Sequence, residues 1–395
     1  MENKKGFADR FDWTLAFIIL LFLIISLLAI SSAQTTGQYA TNFVFKQLFW
    51  YGVGVVIIAM AMFFEPEQYK KLSWPIYGTG VFLLFLLFIL PGSLEIVAER
   101  NHAKSWFHLP FGIGSIQPAE FMKTFYILGL ARLITIHHEK NLIKTVKTDL
   151  ILLVKIGVTL IIPLAFILKQ PDLGTSLVFL AITAALIIVA GITWKIILPI
   201  FLGGIGMGGL LLWMAVYMQD FLVNVFGFDP YQSARIYSWL DPYSYANDEG
   251  MHLITSLNAI GSGEIFGKGY GERIVYVPEN HTDFIFAVIG EEYGFVGASI
   301  VVSLYFLLIF HLTKITLQLK DAYSTYVSAG IIAMITFHVF ENIGMTIQLL
   351  PITGIPLPFI SYGGSSLMGN MLAIGLVFSM KFHHRTYMFA KNEDD

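Results

Sequence analysis

Long apolar runs, about ten of them, decide what this chain can become. They fall at roughly 13–33, 48–64, 75–92, 117–136, 150–168, 174–191, 196–218, 284–310, 325–349 and 365–381, each near the length of about 20 residues that a helix needs to cross a bilayer. The chain is 56% hydrophobic and 13% charged over 395 positions, with a mean hydropathy of +0.70. The expected fold is therefore an all-α polytopic integral membrane protein, a single transmembrane domain over residues 1–395. No fixed-period repeat, heptad pattern or separate soluble domain is visible. The start, "MENKKGFADRFDWTLAFIILLFLIISLLAISSAQ", has the basic, apolar and small-residue order of a signal peptide. Its apolar run is too long for one and further spans follow, so it reads as an uncleaved first helix. A net charge of −3, a pI near 6.4 and no basic stripe give no case for nucleic-acid binding. With no cysteine, disulfides, thiolate metal sites and thiol chemistry are excluded together.

Placing both termini in the cytoplasm puts about sixteen of the 24 Lys and Arg inside, among them Lys4, Lys5, Arg10, Lys70, Lys71, Arg132, Lys140, Arg385 and Lys391, as the positive-inside rule requires. An even number of spans agrees, and Asp283 then lies on the outer side. Connections are short except for residues 219–283, far beyond the usual loop of about 4 to 6 residues. This loop is rich in aromatics, Gly and Pro ("FGFDPYQSARIYSWLDPYSYANDEG", "GSGEIFGKGYG"), which leads us to expect short interfacial helices packed on the outer surface of the bilayer. The inner side offers only short loops and the tail "KFHHRTYMFAKNEDD", too little for a nucleotide-hydrolysing domain.

Several polar residues sit where apolar sequence should be. Asp283 stands where the polar loop meets the eighth run. It is either a helix N-terminal carboxylate held by free N–H groups and the dipole or a general base at the membrane surface; Thr282 is an alternative cap. Glu291 and Glu292 follow eight and nine residues later, about 12 to 14 Å deeper on a regular helix. That is too far from Asp283 for a glycosidase-type carboxylate pair. They read as a proton or substrate path, or as buried partners of Lys123, Lys169 or His338. "GSGEIFGKGYG" fits neither the dinucleotide nor the P-loop pattern; its backbone nests and Lys268 suit a pyrophosphate, or its glycines only permit tight turns. In "NHAKSWFHLPFGIGSIQPAEFMK", Lys104 lies beside an interfacial Trp106, and Glu120 and Lys123 are spaced i, i+3 to pair with each other. "KQPDLGTS" and "LLPITGIPLPFISYGGSS" break helix ends on the outer side and are expected to line a groove, since irregular backbone at membrane depth needs cover. His252, His281 and His338 have no ligand spacing, so no metal site is indicated.

"QPAEFMK" (117–123), "QPDLGTSLV" (170–178), "YQSARI" (231–236), "LNAIGSGEIFGKG" (257–269), "PENHTDFIFAVIGEEYGFVG" (278–297) and "NIGMTIQLLPITGIPLPFISYGGSS" (342–366) occur in one order along the chain. In this the sequence resembles the SEDS family of bacterial shape, elongation, division and sporulation proteins, typified by RodA and FtsW, over nearly its whole length. Short termini and the wording of the last motif look more like RodA. The resemblance implies a peptidoglycan glycosyltransferase that polymerises lipid II at the outer face of the bacterial cytoplasmic membrane for elongation and rod shape. It implies a class B penicillin-binding protein as transpeptidase partner and, for elongation, the membrane proteins MreC and MreD. It makes Asp283, in "HTDF", the catalytic carboxylate. Two departures from the family's pattern bear on donor contacts: Ser105 where Arg is frequent before the loop Trp, and "GMHLITS" (250–256) where the family has "GYQxxQS".

The residues agree with such chemistry. Outside the membrane no nucleotide sugar is at hand, so the donor must carry its own leaving group, and a lipid diphosphate does. An α-linked donor giving a β-linked glycan inverts, for which one base suffices, and Asp283 would take the proton of the acceptor 4-hydroxyl. Arg235, Lys104 and Lys268 would meet the departing diphosphate, Lys123 and His281 complete the expected substrate-binding set, and Glu120, Glu291 and Glu292 form a buried polar network. No cofactor is expected, and a divalent cation such as Mg on the diphosphate is left open. The rival readings are a lipid II flippase or other transporter, a division or sporulation polymerase of the same family, and a membrane scaffold.

Overall fold

The structure is a computed structural model, and it describes residues 6–35, 41–91, 94, 96–100, 103–108, 114–218, 230–245 and 249–384. Part of the long loop (219–229 and 246–248), Lys4, Lys5 and the tail beyond 384 with Arg385 and Lys391 lie outside these. After a single helical turn, α1 (Phe7–Arg10), the chain forms α2 (Trp13–Gln34), α3 (Phe43–Phe63) and α4 (Pro66–Ile89). It continues through α5 (Pro118–Lys140), α6 (Val146–Lys169), α7 (Leu173–Val189) and α8 (Trp194–Tyr217). Two shorter helices, α9 (Pro230–Leu240) and α10 (Glu249–Ser262), precede α11 (Ile285–Gln318), α12 (Ala322–Thr346) and α13 (Gly364–Phe382). Each of the ten apolar runs falls on one long helix. Local chemistry starts them: the side chains of Asp12, Asn42, Asp172 and Asp321 accept the free N–H three residues on, at 2.9, 3.0, 2.9 and 2.9 Å, and prolines open α4 and α5.

Eight of these helices are long and apolar enough to cross a membrane; Leu173–Val189 is apolar but shorter, and Pro118–Lys140, which carries Glu120, Lys123 and Arg132, is not among the eight. The reason is position. α5 runs through the middle of the bundle and packs against α4, α12, α13 and α6, so its charges need satisfy only the protein. The most apolar window of α13 is 78% buried whereas that of α8 is 6% buried, which makes α13 a central helix and α8 a peripheral one. Close approach at the centre depends on small residues. A Cβ on Gly369 would lie 2.9 Å from the Glu120 carbonyl oxygen, which is how α13 seats against α5.

Two features differ from the expectation of helices alone. Residues between α4 and α5 form a three-stranded antiparallel sheet, β1 (Val97–Arg100), β2 (Ala103–His108) and β3 (Ser115–Ile116), with Val97 opposite Phe107 and Phe107 opposite Ile116. And α11 is not regular: it breaks at Gly294, whose φ of 60° and ψ of −157° leave the helical region. Residues 295–318 rise about 36 Å at 1.5 Å each, enough to cross about 30 Å of hydrocarbon by themselves. Glu291 and Glu292 precede the break, in the short helical segment between the Asp283 turn and Gly294.

Candidate active site

Asp283 occupies the turn before α11, half-buried, while its neighbours His281 and Phe284 are buried. A strap, residues 351–356, closes over it. The Asn342 amide of α12 donates to the Asp283 carbonyl oxygen at 2.7 Å and to the Ile355 carbonyl oxygen at 2.8 Å, so one side chain fixes both backbones. Gly354 has a φ of 75°, and a Cβ there would stand 3.3 Å from the Asp283 carboxylate; a left-handed glycine lets the strap reach the acid. Gly174, in the first turn of α7, admits the strap's other edge, since a Cβ on it would lie 3.1 Å from the Thr353 carbonyl oxygen. Arg235 of α9 donates to the same carbonyl at 3.3 Å. Ser361 donates to the Thr282 carbonyl oxygen at 2.6 Å and accepts from the Leu357 N–H at 2.8 Å. The irregular segments that follow α6 and α12 thus gather around Asp283.

Burial pushes the Asp283 carboxyl from 3.8 up to about 7; Glu279 and Asp172 add to the rise, and the Arg235 guanidinium opposes it. Such a group is near half-ionised at neutral pH, where a general base is most effective. Asp172 is an acid the sequence reading passed over. It caps α7 through the Thr175 N–H, accepts from the Thr175 hydroxyl at 2.9 Å and from the Gln117 amide at 3.1 Å, and burial raises its pKa as well. Beyond it, within the bundle, Lys123 donates to both oxygens of Glu120 at 2.8 Å and lies 2.9 Å from His338 Nε2. His338 Nδ1 is 2.9 Å from the Met334 carbonyl oxygen. The partners assign Nδ1 as the protonated nitrogen and Nε2 as acceptor for Lys123.

The sequence-derived residues therefore divide. Arg235 is a cation whose charge acts on Asp283 and lowers its pKa. Glu120 and Lys123 pair as their spacing foretold. Glu291 and Glu292 are buried, but their partners are not Lys123, Lys169 or His338. Glu291 binds Lys268 at 2.7 Å and Glu292 binds Arg273 at 3.1 Å, because the loop folds back onto α11. Lys268 also donates to Ser262, so its ammonium is engaged within the fold. His281 stacks on Phe43 at 4.3 Å and leans on Tyr362 at 5.8 Å; burial lowers its pKa, which makes it a neutral packed ring and not a cationic contact. Lys104 is half-buried on β2, opposite Glu99 in the backbone register. Among the described residues no three His, Asp or Glu side chains gather to hold a metal ion.

The profile of the FtsW, RodA and SpoVE cell cycle proteins matches residues 9–386. The chain belongs to this family. It is 34% identical over 394 residues to Stage V sporulation protein E of Bacillus subtilis, covering 98% of this chain and all of that one. It is 31% identical over 390 residues to the peptidoglycan glycosyltransferase MrdB of Escherichia coli, covering 97% of each. Among solved structures it superposes with a TM-score of 0.74 at 26% identity on one from "Structural coordination of polymerization and crosslinking by a peptidoglycan synthase complex", covering 94% of this chain and 97% of that one. On the rod shape determining protein RodA of Thermus thermophilus the TM-score is 0.67 at 25% identity, with 95% and 98% covered. A stage V sporulation protein E, a peptidoglycan glycosyltransferase RodA and a probable peptidoglycan glycosyltransferase FtsW all match along nearly their full length. Of the residues at the cleft, Glu279, Asp172, Asn342 and Gly354 escaped the sequence reading. Only Asp172 left a readable trace there, an acid directly ahead of an apolar run.

Proposed function

We propose that this protein is an inverting glycosyltransferase that polymerises lipid II into peptidoglycan at the outer face of the cytoplasmic membrane, with both termini inside. The observation that carries the reading is the Asp283 carboxyl, lifted to about 7 in a cleft shared with Arg235. Relatives across the family bear the name peptidoglycan glycosyltransferase, and the cleft supplies what that reaction needs. Asp283 takes the proton of the acceptor 4-hydroxyl as its oxygen forms a bond to the anomeric carbon of the donor. The bond from that carbon to the diphosphate breaks, the electron pair leaves with the diphosphate, and Arg235 meets the charge. Asp172 and Glu279, by repelling a second negative charge, keep Asp283 basic enough to accept the proton. Lys104 remains a candidate for the donor diphosphate, and Lys268, Lys123 and His281 act through the fold. A divalent cation such as Mg on the diphosphate fits the same step.

A class B penicillin-binding protein is the partner this reading calls for, and a solved neighbour whose title describes a synthase complex supports it. Service in elongation, with MreC and MreD, is favoured by the sequence's likeness to RodA; the sporulation relative at 34% identity keeps a sporulation role as the second reading. The test is purified protein with its transpeptidase partner and lipid II in detergent. Wild type yields polymer and Asp283→Asn loses about 100 to 10,000-fold in rate while eluting as a folded protein. Full glycan synthesis by that variant refutes the base; no polymer from wild type, with lipid II moving between leaflets of vesicles, points to the transporter.

A further inference from the structure

Residues 263–276 have their polarity inverted for a segment standing in water. Its two cations turn inward, while Glu264 and Glu272 stay exposed: the Arg273 side chain, 2% exposed, binds Glu292 at 3.1 Å and the Ser32 carbonyl oxygen at 2.8 Å, and Lys268 binds Glu291. The large apolar members turn outward, with Phe266 and Ile274 each 82% exposed and Ile265 59% exposed. The backbone is satisfied by protein instead of solvent. Where α11 breaks, the Lys268 and Gly269 N–H groups donate to the Glu291 and Glu292 carbonyls at 3.0 Å, and the Phe295 and Val296 N–H groups donate to the Glu264 and Ile265 carbonyls. The Ile274 and Val275 N–H groups converge on the Glu291 carboxylate at 2.9 and 3.1 Å. The approach is so close that a Cβ on Gly263 or Gly267 would fall 2.0 Å from a carbonyl oxygen of α11. This is how irregular backbone must be arranged in a low-dielectric medium.

The depth is fixed by α2. The Tyr270 hydroxyl bonds the Ser31 hydroxyl at 2.8 Å, and Ser31 and Ser32 belong to the last turn of α2, at the membrane margin on the Asp283 side. Leu28 of α2 and Phe295 of α11 are exposed as well, both on membrane-spanning helices, and Glu264 and Glu272 are exposed in the same segment. We propose that residues 264–276 form a shelf set into the outer leaflet, with Ile265, Phe266 and Ile274 in contact with lipid acyl chains, and that this shelf holds the Asp283 turn at a fixed height above the hydrocarbon. The occupant is lipid and not a second protein because the segment is joined directly to two membrane-spanning helices that themselves expose apolar side chains, through Tyr270 to Ser31 of α2 and through the Glu264 and Ile265 carbonyls to Phe295 and Val296 of α11. A lipid-linked substrate would then meet the cleft at constant depth.

The chain has no cysteine, so single cysteines report without background. Full-length Phe266→Cys, Ile274→Cys and Glu272→Cys, labelled with bimane in nanodiscs of phosphatidylcholine and phosphatidylglycerol, are exposed to a shallow doxyl lipid or to iodide. The shelf predicts strong doxyl quenching at 266 and 274, with iodide quenching several-fold weaker than at 272. Iodide quenching at 266 and 274 equal to that at 272 overturns it, as does protection from both agents, which marks a protein contact. Wild-type protein photolabelled by a diazirine-bearing lipid gives a second measurement free of folding defects. Adducts within 264–276 support the shelf, and adducts on α2 and α11 without any there overturn it. Neither readout involves transferase activity, so both hold whether or not Asp283 is the base.

Discussion

Asp283 is set by neighbours of opposite influence. Burial, Glu279 and Asp172 raise its pKa and Arg235 lowers it. A base acts when deprotonated, so polymerisation is expected to rise with pH through about 7 and to level off above it. Arg235→Gln removes the one lowering charge and shifts that midpoint upward; a single-turnover pH profile of the two proteins checks the direction, and a downward shift would contradict the assignment. Asn342 matters through its two donors. Asn342→Leu leaves the Asp283 and Ile355 carbonyls without them, a cost of about 1 to 3 kcal/mol for each buried group. The expected result is a lower thermal midpoint together with a fall in kcat at unchanged KM, measured by melting and steady-state kinetics on one preparation.

Among elements, α11 and its returning loop form the unit that makes the cleft. The break at Gly294 hands helix hydrogen bonds to residues 264–269, and the glycine is needed twice over. Its φ is positive, and a Cβ on it would lie 2.4 Å from the Gly267 nitrogen. Gly294→Ala therefore carries the penalty of a backbone conformation essentially reserved to glycine, about 1 to 3 kcal/mol, and pushes the loop off the helix. Faster proteolysis between 263 and 276 and a reduced melting temperature are the measurable consequences. Asp283 itself lies in the turn before this helix, and its neighbours are delivered by α9, α7 and the strap, three pieces far apart in sequence.

For the whole molecule, the Glu120, Lys123 and His338 triad joins α5 to α12 across the bundle. Breaking a buried pair leaves an uncompensated charge, which costs about 3 to 5 kcal/mol. Glu120→Gln should melt markedly earlier than wild type in detergent, and Glu120→Gln with Lys123→Met should regain much of the loss; equal melting of all three would show the pair to be dispensable for the bundle. The triad also explains why α5, with its charges, can stand at the centre while α8, almost free of them, stands at the edge.

Much of this was open to view in the residues alone, because hydrocarbon is an exacting solvent. Ten helices follow from run length, the pairing of Glu120 with Lys123 follows from helical spacing, and the place of Asp283 follows from the border between polar and apolar sequence. What the chain alone could not settle were the partners at long range. Glu291 and Glu292 find Lys268 and Arg273 through a loop that turns back at a broken helix, and His281 packs on two aromatic rings. Asp172, Asn342 and Gly354 come to the Asp283 turn from the start of α7, the C-terminal part of α12 and the strap. Local periodicity reports which side of an element is buried; only the packing of elements decides which buried groups face each other, and in a low-dielectric interior that choice sets the charge on every one of them.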